Sequence, residues 1–119
     1  MEKQYKRIFN ESSVKTFHFS RDRDAFLDYL ETDVFGFFPN KKCSFSYLSA
    51  RDMIGVSFNL EGMFDIFKGA LACKASTSNW VQIEMTDITS ITVTHLGTSI
   101  SIDVFMKDTV GRFNFLLHE

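Results

Sequence analysis

The most constraining feature of the sequence is a period-two alternation of apolar and polar residues between Trp80 and the C-terminus. The apolar positions form four runs: Val81, Ile83 and Met85; Ile91 and Val93; Ile100, Ile102, Val104 and Met106; and Phe113, Phe115 and Leu117. Turn signals at Asp87, 96–98 and 108–111 separate these runs. Alternation interrupted by Gly-containing turns is typical of antiparallel strands joined as hairpins. We therefore predict a meander of contiguous antiparallel strands at approximately 80–86, 90–95, 99–106 and 112–117.

The N-terminal half contains one amphipathic helix, which we predict at approximately 21–32. Its apolar stripe consists of Phe26, Leu27, Leu30 and Val34, spaced as on one face of a helix. Ser20 precedes this stretch, and a serine hydroxyl can accept a hydrogen bond from a backbone N–H of the first turn. We expect Ser20 to cap the helix and the stripe to pack on a sheet face.

The remaining apolar segments are short. Period-two alternation predicts strands at 13–20, 44–48 and 54–60. The segment 61–75 fits two interpretations, because its apolar residues match a helical stripe up to Leu71 and also alternate from there on. We favour a helix, with a hairpin closing at 61–62 as the alternative. The sequence thus predicts a single α+β domain over 1–119: a mainly antiparallel sheet, an N-terminal helix packed on it, and a possible second helix.

The charge distribution argues against a nucleic-acid-binding function. The 119 residues carry a net charge of −2. Residues 1–23 contain six basic and three acidic residues, and the rest of the chain contains seven and twelve. Lys41 and Lys42, close to several aromatic residues, are the best candidate for contacting nucleic acid, but acidic residues surround them. An acidic protein attracts basic partners, so we expect a protein partner with a basic surface.

The two cysteines and the hydropathy suggest a cytoplasmic protein. Cys43 and Cys73 are thirty residues apart and form no CxxC motif. We recognise no signal peptide, so free thiols are favoured over a disulfide between them. No apolar run approaches the roughly 18 residues that a membrane-spanning helix requires.

The sequence offers little equipment for catalysis. Its three histidines, His18, His95 and His118, show no metal-ligand spacing, although a metal site using His95 and Asp103 is one alternative. Ser57 lies in a strand-like run that lacks the second glycine of a nucleophile elbow. We therefore expect no enzymatic activity, no metal and no cofactor.

Carboxylates are concentrated in and beside the predicted helix. Five of them occur within twelve residues: Asp22, Asp24, Asp28, Glu31 and Asp33. Asp24, Asp28 and Glu31 follow at i, i+4 and i+7, which places them on one helix face away from the apolar stripe. Such a face can simply be solvated. It can also cover a cationic active site, such as a nuclease cleft, and we predict these five residues as the partner-binding site.

In size, charge and sheet-plus-acidic-helix layout, the chain resembles the small bacterial immunity proteins that neutralise toxins of contact-dependent growth-inhibition and related systems. The resemblance implies a tight stoichiometric complex with one cognate toxin, often a nuclease, whose site is blocked or distorted. It covers the whole chain and includes no motif, so it assigns no individual residue.

A second resemblance concerns residues 80–93. Their strand–turn–strand rhythm is similar to that of bacterial pleckstrin-homology-like domains, which would imply a scaffolding or ligand-binding module. Those domains usually end with a helix, whereas this chain ends with a predicted strand. The oligomeric state is left open by either resemblance.

Overall fold

The computed structural model describes residues 14–49, 58–107 and 111–119. In chain order its elements are β1 (Val14–His18), α1 (Phe19–Tyr29), a π-helical turn (Leu30–Val34), α2 (Phe35–Phe37), β2 (Lys42–Ser49), β3 (Phe58–Phe67), β4 (Ala70–Ser76), β5 (Asn79–Glu84), a 3₁₀ turn (Met85–Asp87), β6 (Ile88–Leu96), β7 (Ser99–Met106) and β8 (Gly111–Leu117). The fold class is α+β, as predicted, with one helical segment packed on an antiparallel sheet.

The eight described strands form one sheet in the order β1-β6-β7-β8-β2-β3-β4-β5. The predicted meander is confirmed for β6, β7 and β8, which pair in succession. It is wrong for β5, which pairs with β4 instead of β6. At the end of β5 the backbone N–H of Met85 donates to the carbonyl of Gly69 at 3.0 Å, and the 3₁₀ turn then leads the chain away from β4.

The link between β5 and β6 requires a strongly curled sheet. Six strand spacings separate these two strands in the sheet order, which would be about 29 Å in a flat sheet. Only the three residues Met85–Asp87 connect them. A link of that length spans at most about 14 Å between Glu84 and Ile88. The sheet therefore bends until its two sides approach each other, and its concave face encloses the core.

Segment 61–75 is a hairpin rather than the favoured helix. β3 and β4 pair antiparallel from Met63 with Lys74 to Phe67 with Ala70. The two-residue turn between them places Lys68 at φ 49° and Gly69 at φ 76°. Positive φ at both central residues is the geometry of tight hairpin turns, and a helix cannot contain it. The alternative turn at 61–62 is also wrong, because both residues lie inside β3.

Residues 19–37 form one continuous helical segment, longer than the predicted 21–32. Phe26, Leu30 and Val34 are fully buried, and Leu27 packs against the same core. Packing of the helix on the sheet through Phe26, Leu27 and Leu30 is thus confirmed. Tyr29 and Leu30, where α1 passes into the π turn, are both buried as well.

The helix starts earlier than predicted. His18 occupies the N-cap position and makes no side-chain capping bond. Ser20, the predicted cap, lies within the first turn of α1. The carboxylate of Asp22 instead accepts a hydrogen bond from the backbone N–H of His18 at 3.1 Å. This bond satisfies a donor at the helix start from within the helix, as the acidic partner of a capping box does.

Aromatic rings fill the centre of the core. The Phe115 ring on β8 lies 5.0 Å from that of Phe45 on β2 and 5.1 Å from that of Phe64 on β3. Phe26 of α1 packs 5.4 Å from Phe17 and 5.5 Å from Phe19. Such edge-to-face and tilted pairs are favourable arrangements of aromatic rings. In the described part of the chain, no helix is both long enough and apolar enough to cross a bilayer.

Candidate partner-binding surface

The structure places the predicted carboxylates on the solvent side of the helical segment. Asp24 and Asp28 lie on α1, and Glu31 and Asp33 lie in the π turn. All four are exposed, and Asp22 is half-buried. We call Asp24, Asp28, Glu31 and Asp33 the acidic face.

Asp22 differs from the acidic face because it has a structural role. Besides accepting the N–H of His18, its carboxylate lies 3.5 Å from the guanidinium Nε of Arg21. Its negative charge is therefore partly neutralised by the N–H of His18 and the guanidinium of Arg21.

The carboxylates of the acidic face are weakly compensated. Asp24 lies 3.8 Å from the Nε of Arg23, with its side chain 94% exposed, and such exposed pairs contribute little. The ion pairs found among residues 14–49, 58–107 and 111–119 do not include Asp28, Glu31 or Asp33. The acidic face thus presents negative charge to solvent.

A buried polar pair lies beneath this helix. Tyr29 Oη of α1 and His95 Nε2 of β6 form a hydrogen bond of 2.7 Å. Burial, together with the negative charge of Asp33, raises the pKa of Tyr29 to about 12. Burial lowers the pKa of His95, and the positive charge of Lys15 lowers it further while Asp33 opposes both. The helix is therefore anchored to the sheet by two neutral groups.

This pair predicts a loss of stability at alkaline pH. The pKa of Tyr29 rises from about 10 in the unfolded chain to about 12 in the fold, so the contribution is complete below pH 10 and lost as the pH rises through 12. A shift of this size corresponds to about 3 kcal/mol. Urea unfolding between pH 9 and pH 12 should show this decline, and the Tyr29→Phe variant should show a flatter profile. Equal slopes for the two proteins would contradict the assignment.

The alternative metal site of His95 and Asp103 is wrong. His95 points into the core, where it is buried, whereas Asp103 lies on the opposite face of the sheet. There Asn114 Nδ2 donates to the Asp103 carboxylate at 2.9 Å and to Ser101 Oγ at 2.7 Å. Among the described residues, no three or more His, Cys, Asp or Glu side chains are grouped as metal ligands.

Strand register creates a polar cluster that the sequence did not reveal. Ser44 of β2 pairs with Glu61 of β3 and donates a 2.8 Å hydrogen bond to its carboxylate. His118 Nε2 lies 3.2 Å from Ser44 Oγ and 3.7 Å from Glu61 Oε1. In a Ser–His–acid triad the acid contacts the other imidazole nitrogen. Here that nitrogen, Nδ1, lies 3.1 Å from the carbonyl of Glu119, so the cluster is not arranged as a triad. Ser57, the other serine considered, lies outside the described residues.

The basic pair Lys41–Lys42 lies beside aromatic rings that are buried or, for Phe35, Phe37 and Tyr47, half-buried. Lys41 Nζ lies 4.4 Å from the centre of the Phe35 ring, and the nearby rings of Phe38 and Phe45 are buried. Stacking of nucleic-acid bases needs exposed aromatic rings.

The structure also shows an apolar hollow on the surface that the sequence did not predict. Met63, Phe67 and Trp80 are 54%, 40% and 48% exposed, and they line a hollow of about 490 Å³ on the outer face of the sheet. Lys74, also in its lining, lies 4.3 Å from the Phe67 ring and 3.2 Å from the Asp65 carboxylate. We call this feature the Trp80 hollow. It borders β5, which is an edge strand of the described sheet.

Comparison with known proteins does not identify a family. No family model matches the chain, and no curated protein matches its sequence significantly. A crystal structure of a protein from Erwinia carotovora is similar with a TM-score of 0.44 and 13% identity, over 89% of this chain and 63% of that protein. The crystal structure of ChuX is similar with a TM-score of 0.47 and 15% identity, over 98% of this chain and 73% of ChuX. Likenesses of this size assign neither a family nor a function.

Proposed function

We propose that the protein is a non-enzymatic protein-binding module, most specifically an immunity protein that neutralises a cognate toxin by stoichiometric binding in the cytoplasm. The partner has a basic surface, such as the phosphate-binding cleft of a nuclease, and binding requires no metal or cofactor. The observation that supports this proposal is the acidic face. Its carboxylates are exposed on a helix whose other side is fully buried.

The physical basis is electrostatic complementarity. Carboxylates that are not neutralised within their own protein attract a cationic cleft and raise the association rate. Exposed charges are screened over about 10 Å at 0.1 M salt, so the association rate should fall as salt is added. None of these side chains belongs to the core, so binding and folding can be tested separately.

The test neutralises three of the charges through Asp24→Asn, Asp28→Asn and Glu31→Gln. The binding partner in this test is the purified protein encoded by the open reading frame next to the one for this chain, taken as the cognate toxin. Its association and dissociation rates are measured at two salt concentrations. We expect the variant to lose more than tenfold in affinity, or about 1.4 kcal/mol, mainly through slower association. The salt dependence should weaken as well, while the unfolding curve stays unchanged.

A matched control removes the same charge elsewhere, through Glu84→Gln, Asp87→Asn and Glu119→Gln, all at exposed positions. The control should bind nearly as well as the unmodified protein. If both triple variants lose affinity equally, net charge is responsible and the acidic face is not the binding site. If neither variant changes the association rate, the acidic face is only solvated surface.

A second candidate function is a scaffolding or ligand-binding module, and the Trp80 hollow favours it. An exposed apolar depression beside an edge strand is a common site for docking. Trp80 is the only tryptophan, so its fluorescence reports directly on this hollow. The two candidates are distinguished by partner binding in two variants. Binding that is lost in Trp80→Ala and retained in the triple variant of the acidic face would support the second candidate over the first.

A further inference from the structure

Two cysteines on non-adjacent strands meet inside the core. Cys43 lies on β2 and Cys73 on β4, with β3 between them. The backbones of strands two positions apart in a sheet are normally separated by about 9.6 Å. The Sγ atoms of Cys43 and Cys73 nevertheless lie only 3.2 Å apart, and both residues are almost completely buried. Both are free thiols in the structure.

Gly62 makes this approach possible. It lies on β3 directly opposite Cys43. A Cβ atom at this position would lie 2.5 Å from the backbone carbonyl oxygen of Lys74, the residue that follows Cys73. Real Cβ atoms do not approach a backbone atom so closely, so only glycine lets β4 fold this tightly towards β2. Glycine within a strand often marks such a close backbone approach.

We propose that Cys43 and Cys73 form a redox-active dithiol, which a small hydroperoxide converts into a disulfide that links β2 to β4. The sulfur atoms need to approach by only about 1.2 Å to reach the S–S bond length of roughly 2.05 Å. Their burial restricts the oxidant to molecules as small as hydrogen peroxide. This site is independent of the acidic face and of the proposed function.

The hydrogen bond between the thiols assigns their roles. Cys43 donates to the sulfur of Cys73, which lowers the pKa of Cys73, and the same bond, together with burial, raises the pKa of Cys43. Cys73 therefore loses its proton, and its thiolate attacks one peroxide oxygen. The O–O bond breaks, the departing hydroxide takes up that proton and leaves as water, and a sulfenic acid forms on Cys73. Cys43 then attacks the Cys73 sulfur, its proton passes to the departing hydroxide, and the second water leaves. The two thiols lose two electrons, and hydrogen peroxide is reduced to two waters.

The experiment exposes the folded, reduced protein to hydrogen peroxide, then denatures it and blocks the remaining thiols with iodoacetamide. We expect the intact mass to fall by about 2 Da, from the loss of two hydrogens, with neither cysteine alkylated. Because the bond closes a loop of about thirty residues, Tm should rise by roughly 10 °C, and dithiothreitol should reverse the change.

Two single substitutions test the roles of the thiols. Cys43→Ser retains a hydroxyl that can donate to Cys73, so Cys73 should still form a sulfenic acid, which dimedone traps when it is added together with the denaturant. Cys73→Ser leaves only Cys43, which should react at least tenfold more slowly. Alkylation of both cysteines after peroxide treatment of the folded wild-type protein would overturn the proposal. So would oxidation that adds oxygen without forming the internal bond. The wild-type measurement decides the question even if a serine variant fails to fold.

Discussion

Replacing Leu30 by alanine is expected to lower the free energy of unfolding by about 3–5 kcal/mol, which is a large part of the stability of a typical domain. Leu30 is fully buried, and it lies in the π turn where the helical segment contacts the sheet core. Removing its isobutyl group loses the burial of that group and leaves a cavity that the curled sheet cannot close.

The measurement is urea unfolding of Leu30→Ala beside Leu27→Ala. Leu27 lies on the same stripe but is only partly buried, so its truncation should cost less, about 1–2 kcal/mol. A loss below 1 kcal/mol for Leu30→Ala would place the helical segment outside the core.

The Gly62→Ala substitution should have the second large effect, a loss of about 3 kcal/mol or more. The added methyl group would meet the backbone of Lys74 and Ala75 rather than the end of a flexible side chain. Removing this clash therefore requires β4 to move away from β3, which weakens the pairing on both sides of β4.

Gly36→Ala provides the matched control, because a Cβ at Gly36 meets no atom outside its own helix within 4 Å. Gly36 lies in the helical residues Phe35–Phe37, where alanine is favoured over glycine by about 1 kcal/mol. The control should therefore raise the melting temperature while Gly62→Ala lowers it. Similar stabilities for the two variants would exclude the close approach of β4 at Gly62.

The local pairing of the sheet was predictable, whereas its order was not. Alternation and turn residues placed β6, β7 and β8 correctly, since each hairpin is specified by adjacent residues. The pairing of β8 with β2, and of β1 with β6, joins segments far apart in the chain. Alternation reports which face a residue occupies, but it carries no information about which distant strand lies alongside.

The hairpin from β3 to β4 shows how a local pattern can mislead. Leu71 continues a helical stripe that includes Ala70, and it also begins an alternation with Cys73 and Ala75. The deciding residues are Lys68 and Gly69 with their positive φ. Lysine seldom adopts such a conformation, so Gly69 alone indicated a turn in the sequence. Pairing with β5 on the other side then favours the extended form.

Surface features that lie within one short stretch of sequence were predictable, whereas those assembled from several strands were not. Most of the acidic face was predictable because Asp24, Asp28 and Glu31 lie one helical turn apart, and helical spacing is read from a short stretch. The Ser44–Glu61–His118 cluster and the Trp80 hollow are assembled from several strands. The cluster requires the register of β2 with β3 and β8, and the hollow requires the register of β4 with β3 and β5.

The pairing of β2 with β8 also has a consequence for how the chain folds. On one side of this pairing, β2 to β5 are neighbours in both sequence and space, and on the other side β6 to β8 are as well. Each group can form from successive hairpins, which close short loops quickly. Joining the groups brings Phe45 against Phe115 and requires a much longer loop to close, so this step carries the larger entropic cost. The folding rate should therefore be governed by the β2–β8 contacts, and the two groups of strands should form before the sheet is complete.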